Sequence, residues 1–545
     1  MGSLERSDNV IKPEYTSRGS GDFYRHGRAG AADEEVAPKG DLSRLRQLLG
    51  PEPEVVHVPQ PTRRVGWFAS GFVIALVLGV VIGLLIIFEF PALFGKGPGS
   101  NTRTAESTSR FDNSKSLDEG NPPAAIAPVA PAAPRAVQPS SPAASAAVAP
   151  TAAQPASSAP AREPVPPVRG VTDSEIRFGI AAPFSGPAKE LGQNMMLGIE
   201  TAFKAANAKG GVNGRQLRLI AADDGYEPAR TASAMTQLYE KDQVFGVLGN
   251  VGTPTAVVAL PYALDRKMLF FGAFTGAGLL RSDPPDRYVF NYRASYAEET
   301  AAVVNYLVKV KRLFPEQIAV FAQQDAYGDA GFAGVEKAIR SLRGGNDSPI
   351  VRFGYQRNTV DVDDAVAQLQ QVQQQKNRLP IKAVIMVPAY RAAAKFIEKT
   401  RDLYPDMIYT SVSFVGSTAL ANELMLLGKK YATGVIVTQV VPALEGHSSL
   451  VLDYKAALAK YYPGEAPDYV SLEGYVDATI LLAALQQNGP QVDTEKLVAT
   501  LESLRDLDIG LGTPTSFSRS EHQAVHKVWG TQLDADGRYQ PIDLQ

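Results

Sequence analysis

Two strand-to-helix junctions hold the residues best suited to gripping a small anion. The first is Gly249-Asn250-Val251-Gly252-Thr253-Pro254-Thr255. Thr253 is placed as an N-cap, with Pro254 at the first helical position, where its missing N–H costs nothing. Free backbone N–H groups and the positive end of the helix dipole would receive a carboxylate there. An ordinary capped helix accounts for the same residues. The second junction, Phe271-Gly272-Ala273-Phe274-Thr275-Gly276, ends a buried strand in small residues, which lets a ligand approach the backbone closely. Tight packing explains those glycines equally well.

Other chemistries find little support. The five histidines (His26, His57, His447, His522 and His526) form no HExxH pattern and read as lone surface side chains. There is no GxSxG elbow and no Walker-type Gly-Lys-Ser/Thr. Asp223-Asp224, at a strand end before a turn, read as a cap for the next helix and a partner for neighbouring backbone rather than as an acid pair. Cysteine is absent, which removes disulfides, thiolate metal sites, thiol nucleophiles and a lipid-carrying N-terminal cysteine. A net charge of -3 with 20% charged residues points to no nucleic-acid partner. The expectation is a protein that is not an enzyme and needs neither cofactor nor metal.

The elements that must position the two junctions alternate regularly. Strands are expected at 176–182, 216–222, 244–249 and 268–272, with helices at 195–207, 229–241 and 253–265 between or beside them. A second series begins near Glu298: helix, strand 317–322, helix 331–342, strand 350–355, a Gln-rich helix and strand 383–387. This order is the signature of parallel sheets with helices on both faces, and two such sets imply two α/β lobes. In open sheets of this kind a ligand sits beyond the carboxyl ends of the strands.

The first 170 residues have a different texture. Residues 1–64 are polar and mixed in charge, and read as a disordered cytoplasmic tail. Asp41 to Leu49 could form a brief amphipathic helix, either transient or a docking element for a cytoplasmic protein. Residues 65–88 form an uncharged apolar run from Val65 to Phe88, long enough to cross a bilayer as one transmembrane helix. Trp67 at one end and Phe88, Phe90 and Phe94 at the other suit the two interfaces, and Arg63-Arg64 favour an N-terminus inside. Residues 89–170 are rich in Pro, Ala and Ser and read as an extended spacer.

From Val171 onward the chain resembles the type I periplasmic-binding-protein superfamily, in its leucine/isoleucine/valine-binding branch. The motifs that carry the resemblance include 180–187 (IAAPFSGP), 207–214 (NAKGGVNG), Asp223-Asp224 with Pro228, and 249–255. Gln324-Asp325-Ala326-Tyr327-Gly328 and Ser471-Leu472-Glu473-Gly474-Tyr475 continue the series in family order. The resemblance implies a Venus flytrap of two lobes joined by three crossings. Lobe 1 is expected at about 172–293 and 438–512, lobe 2 at about 296–435 and 515–545. It further implies that Thr253 binds a ligand carboxylate, that Ala273 and Thr275 bind its carboxylate and amino groups, and that Tyr327 and Tyr390 come from lobe 2. Leu191 stands where many amino-acid binders carry an aromatic wall, and Ser413 where they carry an acid for the ammonium. An ammonium would then need Asp325 or Glu473; otherwise the ligand is a carboxylate without an amine, or an amide. The family's disulfide is replaced by Tyr226 and Gly252.

The expectation is a single-pass inner-membrane protein whose periplasmic domain closes on an amino acid, amide or carboxylate. It would then hand that ligand to an ABC permease or, alternatively, act as a sensor or scaffold through a signalling partner. Protease added outside spheroplasts should cut in the Pro/Ala spacer and release a fragment of about 40 kDa, because exposed, unpacked chain is where nicking concentrates. Complete resistance of spacer and domain would reverse the orientation.

Overall fold

A computed structural model of the chain describes residues 167–346 and 349–545. The expected tail, membrane span and most of the spacer lie outside the described residues. Among the described residues no helix is long and apolar enough to cross a membrane. The folded chain begins slightly before Val171. Arg169 already stacks on Tyr239, 3.6 Å from the ring centre, and Gly170 is wedged against the backbone of Val244 and Phe245.

Two sheets carry the architecture. The first has the order β2-β1-β3-β4-β5, all parallel, with β1 Glu175–Ala182, β2 Gln216–Asp223, β3 Gly246–Leu248, β4 Leu269–Phe271 and β5 Val289–Phe290. The second has the order β12-β11-β10-β9-β8-β6-β7. Its strands are β6 Ile318–Gln323, β7 Val351–Tyr355, β8 Ala383–Val387, β9 Ile408–Ser411, β10 Ile436–Gln439, β11 Trp529–Leu533 and β12 Tyr539–Ile542. Five are parallel; β11 and β12 add an antiparallel edge. β6 and β8 are buried at every residue, as strands covered on both faces must be, and their sequences are correspondingly apolar except for Gln323 at the carboxyl end of β6.

Helices cover the sheets. In the first lobe they are α1 (Lys189–Asn207), α2 (Pro228–Thr236) and α3 (Thr253–Asp265). The second lobe contributes α4 (Tyr296–Asn305), α5 (Ala326–Leu342), α6 (Asp363–Gln373), α7 (Tyr390–Arg401), α8 (Ser417–Leu427) and α9 (Lys429–Ala432). The chain then returns to cover the first sheet with α10 (Ser449–Tyr461), α11 (Tyr469–Asn488) and α12 (Thr494–Ser503). Several start with side-chain caps. Ser295 and Glu298 form a reciprocal capping box on α4, Asp325 caps α5, and Asp468 caps α11. The helix after β6 starts at Ala326, five residues before the expected Gly331, because Asp325 supplies that cap.

The chain crosses between the sheets three times, and the crossings are stitched together. Asn291 N–H donates to the His522 carbonyl, and Ala524 and Val525 return bonds to Asn291 and Tyr292. The Tyr292 hydroxyl donates to the Val440 carbonyl at 2.8 Å, tying in the crossing after β10. His522 was expected at the surface and is instead buried in this strap. Its ring stacks on Phe290 at 3.9 Å, and Nδ1 lies 2.8 Å from the Val289 carbonyl. An apolar strap selects such a histidine as a flat packing group with one satisfied nitrogen.

α1 and α11 cross at backbone distance. A Cβ on Gly198 would overlap the Ser471 carbonyl, and one on Gly474 would overlap the Met195 carbonyl. Gly198→Ala should therefore cost about 2–3 kcal/mol from overpacking, despite the better helix propensity of alanine. Gly278, with open space around it, should tolerate alanine within about 0.5 kcal/mol. Denaturant unfolding of the two variants measures both, and equal stabilities would contradict this helix crossing.

Candidate functional site

The carboxyl ends of the two sheets face each other, and their loops meet. From the first lobe come the turns after β1, β3 and β4. Asn250 Nδ2 donates to the Ala181 carbonyl at 2.9 Å, and Val251 pairs with Phe274, so the two sequence-predicted junctions lie side by side. Thr253 and Thr275 are fully buried, and their hydroxyls hydrogen-bond each other at 2.7 Å. One detail differs from expectation: Thr253 is the first residue of α3, and Gly252 is its N-cap. Gly252 takes a φ of 104° that strongly favours glycine, so Pro254 falls one position later. The Thr253 hydroxyl is thereby turned away from capping and toward Thr275.

The second lobe supplies Tyr327 and Tyr390 from the first turns of α5 and α7, and the short 3-10 turn Ser413–Val415 after β9. Tyr390 donates across the lobes to the Pro187 carbonyl at 2.7 Å. The Tyr327 hydroxyl reaches only the Pro388 carbonyl of its own lobe, at 3.4 Å. Leu191, on α1, packs against Gly416: a Cβ there would stand 2.6 Å from it, and the φ of 81° also favours glycine. Phe414 was not anticipated. Its ring stacks on Phe274 with centroids 5.1 Å apart, lies 4.5 Å from Tyr327, and also touches Tyr226 and Tyr296. Thr253, Thr275, Tyr327 and Phe414 each retain 0% exposure and Ala273 only 3%. The space between the lobes is filled by the chain's own side chains.

A buried charge cluster flanks this aromatic box. Arg293, on the first crossing, is 1% exposed, and its guanidinium lies 4.9 Å from the centre of the Phe274 ring. Nη2 donates to Glu299 Oε1 at 3.2 Å and to Ser413 Oγ; Nη1 is 3.3 Å from Glu473 Oε1 without an aligned hydrogen bond. Glu299 also accepts from Ser413 N at 2.8 Å and Thr438 Oγ1 at 2.5 Å. Burial depresses the Arg293 guanidinium, but Glu473 and Glu299 more than offset that and hold it above the usual arginine value. Burial pushes the Glu473 carboxyl up to about 7 against the pull of Arg293, and burial together with Glu473 pushes Asp477 well above the carboxylate range. Asp477 lies behind Gly272, where a Cβ would meet its carboxyl carbon at 2.5 Å.

Both residues considered as acceptors for a ligand ammonium are committed elsewhere. Glu473 faces Arg293. Asp325 accepts from Tyr327 N, Gln323 Nε2 and Arg357 Nη1 at 3.0, 2.7 and 3.1 Å. Arg357 also reaches Glu227 across the lobes at 2.9 Å, and Asn358 donates to Glu227 and to the Gly225 carbonyl. Tyr226 covers Gly252 so closely that a Cβ there would strike its ring, and its hydroxyl accepts from Gln323 of the other lobe at 3.1 Å. Asp223 accepts from Phe184 N, Ser185 N and Gly225 N, and Asp224 from Tyr226 N and Thr231 Oγ1, so the pair binds neighbouring backbone as expected. The cap of α2 falls to Glu227, without a side-chain bond, so neither aspartate takes that role.

Residues 175–538 match the model of a family described as periplasmic binding protein. The chain belongs to that family, with the type I fold and within the branch of Leu/Ile/Val-binding proteins. A structure described as a possible leucine/isoleucine/valine-binding protein from Rhodopirellula baltica is 42% identical. It aligns over 69% of this chain and 98% of its own, with a TM-score of 0.64. The Leu/Ile/Val-binding protein homolog 3 of Brucella melitensis is 24% identical over 63% of this chain and 87% of its own length. A branched chain amino acid ABC transporter protein from Thermus thermophilus, solved with bound valine, shares the fold at 17% identity and a TM-score of 0.58, over 68% of this chain and 96% of its own.

A carboxyl whose pKa rises on folding contributes stability below its ordinary value of 4.5 and loses it as pH rises through the folded value, here about 7. Wild-type stability should fall over that window, and Glu473→Gln should flatten the fall. Melting temperatures of the two proteins at pH 4.5 to 7.5 test this; parallel curves would remove Glu473 as the titrating group.

Proposed function

We propose that this chain is a membrane-anchored extracytoplasmic solute-binding protein that closes two lobes on a small amino-acid-like or carboxylate ligand and delivers it to an ABC transporter. The observation that carries the reading is the buried Thr253–Thr275 hydroxyl pair at two adjacent strand ends, facing the lobe that bears Tyr327 and Tyr390. Hydroxyls at the start of α3, with its free N–H groups, suit a carboxylate. The names of the Leu/Ile/Val-binding relatives and the valine in the Thermus protein support the same ligand class. The apolar run 65–88 and the spacer that follows support a tether, which would keep the domain near a permease at high local concentration. The residues brought together are those of a gripping site, and the relatives are named as binding proteins, so catalysis is not part of the proposal.

A second reading has one observation in its favour. The interlobe space is packed with Phe414 and its aromatic neighbours, so a sensor or scaffold that works through protein contacts, with no small ligand, fits as well. A thermal-shift screen of the full chain against amino acids, amides and small carboxylates separates the two, because a ligand that binds only the folded state raises its melting temperature. For any ligand found, Thr253→Val should weaken binding by about ten- to a hundredfold, the worth of one charge-assisted hydrogen bond. An unchanged affinity, with Tyr390→Ala equally silent, would move the ligand out of this cleft.

A further inference from the structure

The end of the second lobe that faces away from the cleft gathers cations around exposed apolar side chains. Two segments build it. One, 306–317, leads from α4 into β6 and bears Lys309, Lys311 and Arg312. The other, 374–382, leads from α6 into β8 and bears Lys376, Arg378 and Lys382. The segments touch: Lys382 N–H donates to the Gln317 carbonyl at 2.8 Å, and Arg378 Nη2 to the Glu316 carbonyl at 3.2 Å. Their sequences hold one carboxylate, Glu316, and Arg343 pairs with it. Asp406 precedes β9, one strand farther from the first segment. Among the described residues, the five exposed cations (Arg378 is half-buried) form no ion pair. Between them Phe314 is 63% exposed, and Val310 and Leu379 are each 45% exposed, so these side chains do little for the core. We propose that this face is a membrane-docking surface that lies against an anionic lipid bilayer.

The inference goes beyond the proposed function and rests on its tether only for bringing a bilayer within reach. The spacer at 89–170, taken as a flexible coil, would span on the order of 50 Å. That is about the width of a domain of this size, so the far end of the domain can reach the surface from which it is tethered. The chemistry of the patch matches both layers of such a surface. Cations meet the anionic headgroups, and apolar side chains enter the boundary beneath them. The apolar groups are also held out firmly. Proline follows both Phe314 and Leu379, Phe314 N–H donates to Gln317 Oε1 at 3.1 Å, and Ile381 N–H donates to Gln373 Oε1 at 2.8 Å. A second copy of this face is a poor occupant, because self-pairing would set cation against cation. The chain as a whole carries a net charge of -3, so bulk charge does not account for the cluster.

The chain contains no cysteine, so an introduced one is a unique labelling point. Asn377→Cys places a dye on the patch, and Leu452→Cys places one on an exposed position of α10 in the other lobe. The full chain is reconstituted in nanodiscs of phosphatidylcholine alone or with phosphatidylglycerol, each holding acceptor-labelled headgroups. Energy transfer from position 377 should be at least twofold higher in the anionic discs, and 0.5 M NaCl should remove the excess. Position 452 should show no such excess. Arg312→Glu with Lys382→Glu should abolish it, and Phe314→Ser should reduce it; an unchanged melting temperature shows that these variants are folded. Equal transfer in both lipids, an equal excess at both positions, or an excess that survives the charge reversal overturns the inference. Docking that appears only when an acidic protein is added also overturns it, since the partner is then not lipid. Failure of the chain to enter discs sinks the tether alone. Flotation of the same chain with preformed vesicles then decides the docking: at least tenfold weaker partitioning of the charge-reversed variant into anionic vesicles supports it, and no partitioning of wild type overturns it.

Discussion

The buried ion pair between Arg293 and Glu299 is the constraint on which the arrangement of the lobes depends. Arg293 lies on the first crossing and Glu299 in the helix that follows it, both almost wholly out of solvent. Two charges in that environment are tolerable only if each is paired and hydrogen-bonded, and removing one partner from such a pair costs about 3–5 kcal/mol. The pair therefore pins everything that completes it: Ser413 from the turn after β9, Thr438 from β10, and Glu473 from α11 of the other lobe. The hinge is in this sense an electrostatic object. Nearby, Glu298 ties the first crossing to the third through His526 and Gln523, and in spite of burial the hydrogen bonds from His526, Ser295 and Gln523 hold its carboxyl down to about 2.

Closure of the cleft uses a different kind of contact. Arg357 with Glu227, Asn358 with Glu227 and Gly225, and Tyr390 with Pro187 bridge the lobes near the rim. The Arg357 and Glu227 side chains keep partial exposure, and ion pairs of that sort contribute little individually. Behind them lies the aromatic box, where burial of several rings supplies most of the cohesion. A strong hinge, a weak rim and a filled centre together describe a clamshell that can close on its own residues. Conformational preference of this sort lowers the apparent affinity of any ligand by the fraction of molecules that are open.

Much of this was legible from residues alone. The alternation of apolar strands with amphipathic helices implied the two-lobed α/β class, and the limits of the expected strands fall within two residues of those observed, because the buried stretches of parallel strands are predominantly apolar. Glycine and threonine at 249–255 and 271–276 marked the two junctions correctly, since positive φ and close backbone approach have a local chemical signature. The pairing of those junctions through Val251 and Phe274 follows from adjacent parallel strands.

What the sequence could not announce is the partnership of distant charges and rings. Arg293 and Ser413 are 120 residues apart, and nothing around either distinguishes a buried ion cluster from an ordinary polar loop. Asp325 and Glu473 were legible as acids near the cleft, but which cation each would meet was not, because that depends on how two lobes dock. His522 read as a surface histidine because burial is a property of the strap it joins rather than of its neighbours in sequence. The sequence by itself determined most of the parallel strands, the glycine- and threonine-rich strand ends and the family, for these are written in local periodicity and short motifs. Only the tertiary structure decided that the cleft is occupied by Phe414 and governed by Arg293, because burial, desolvation and ring stacking arise when segments far apart in the chain share one water-excluded space.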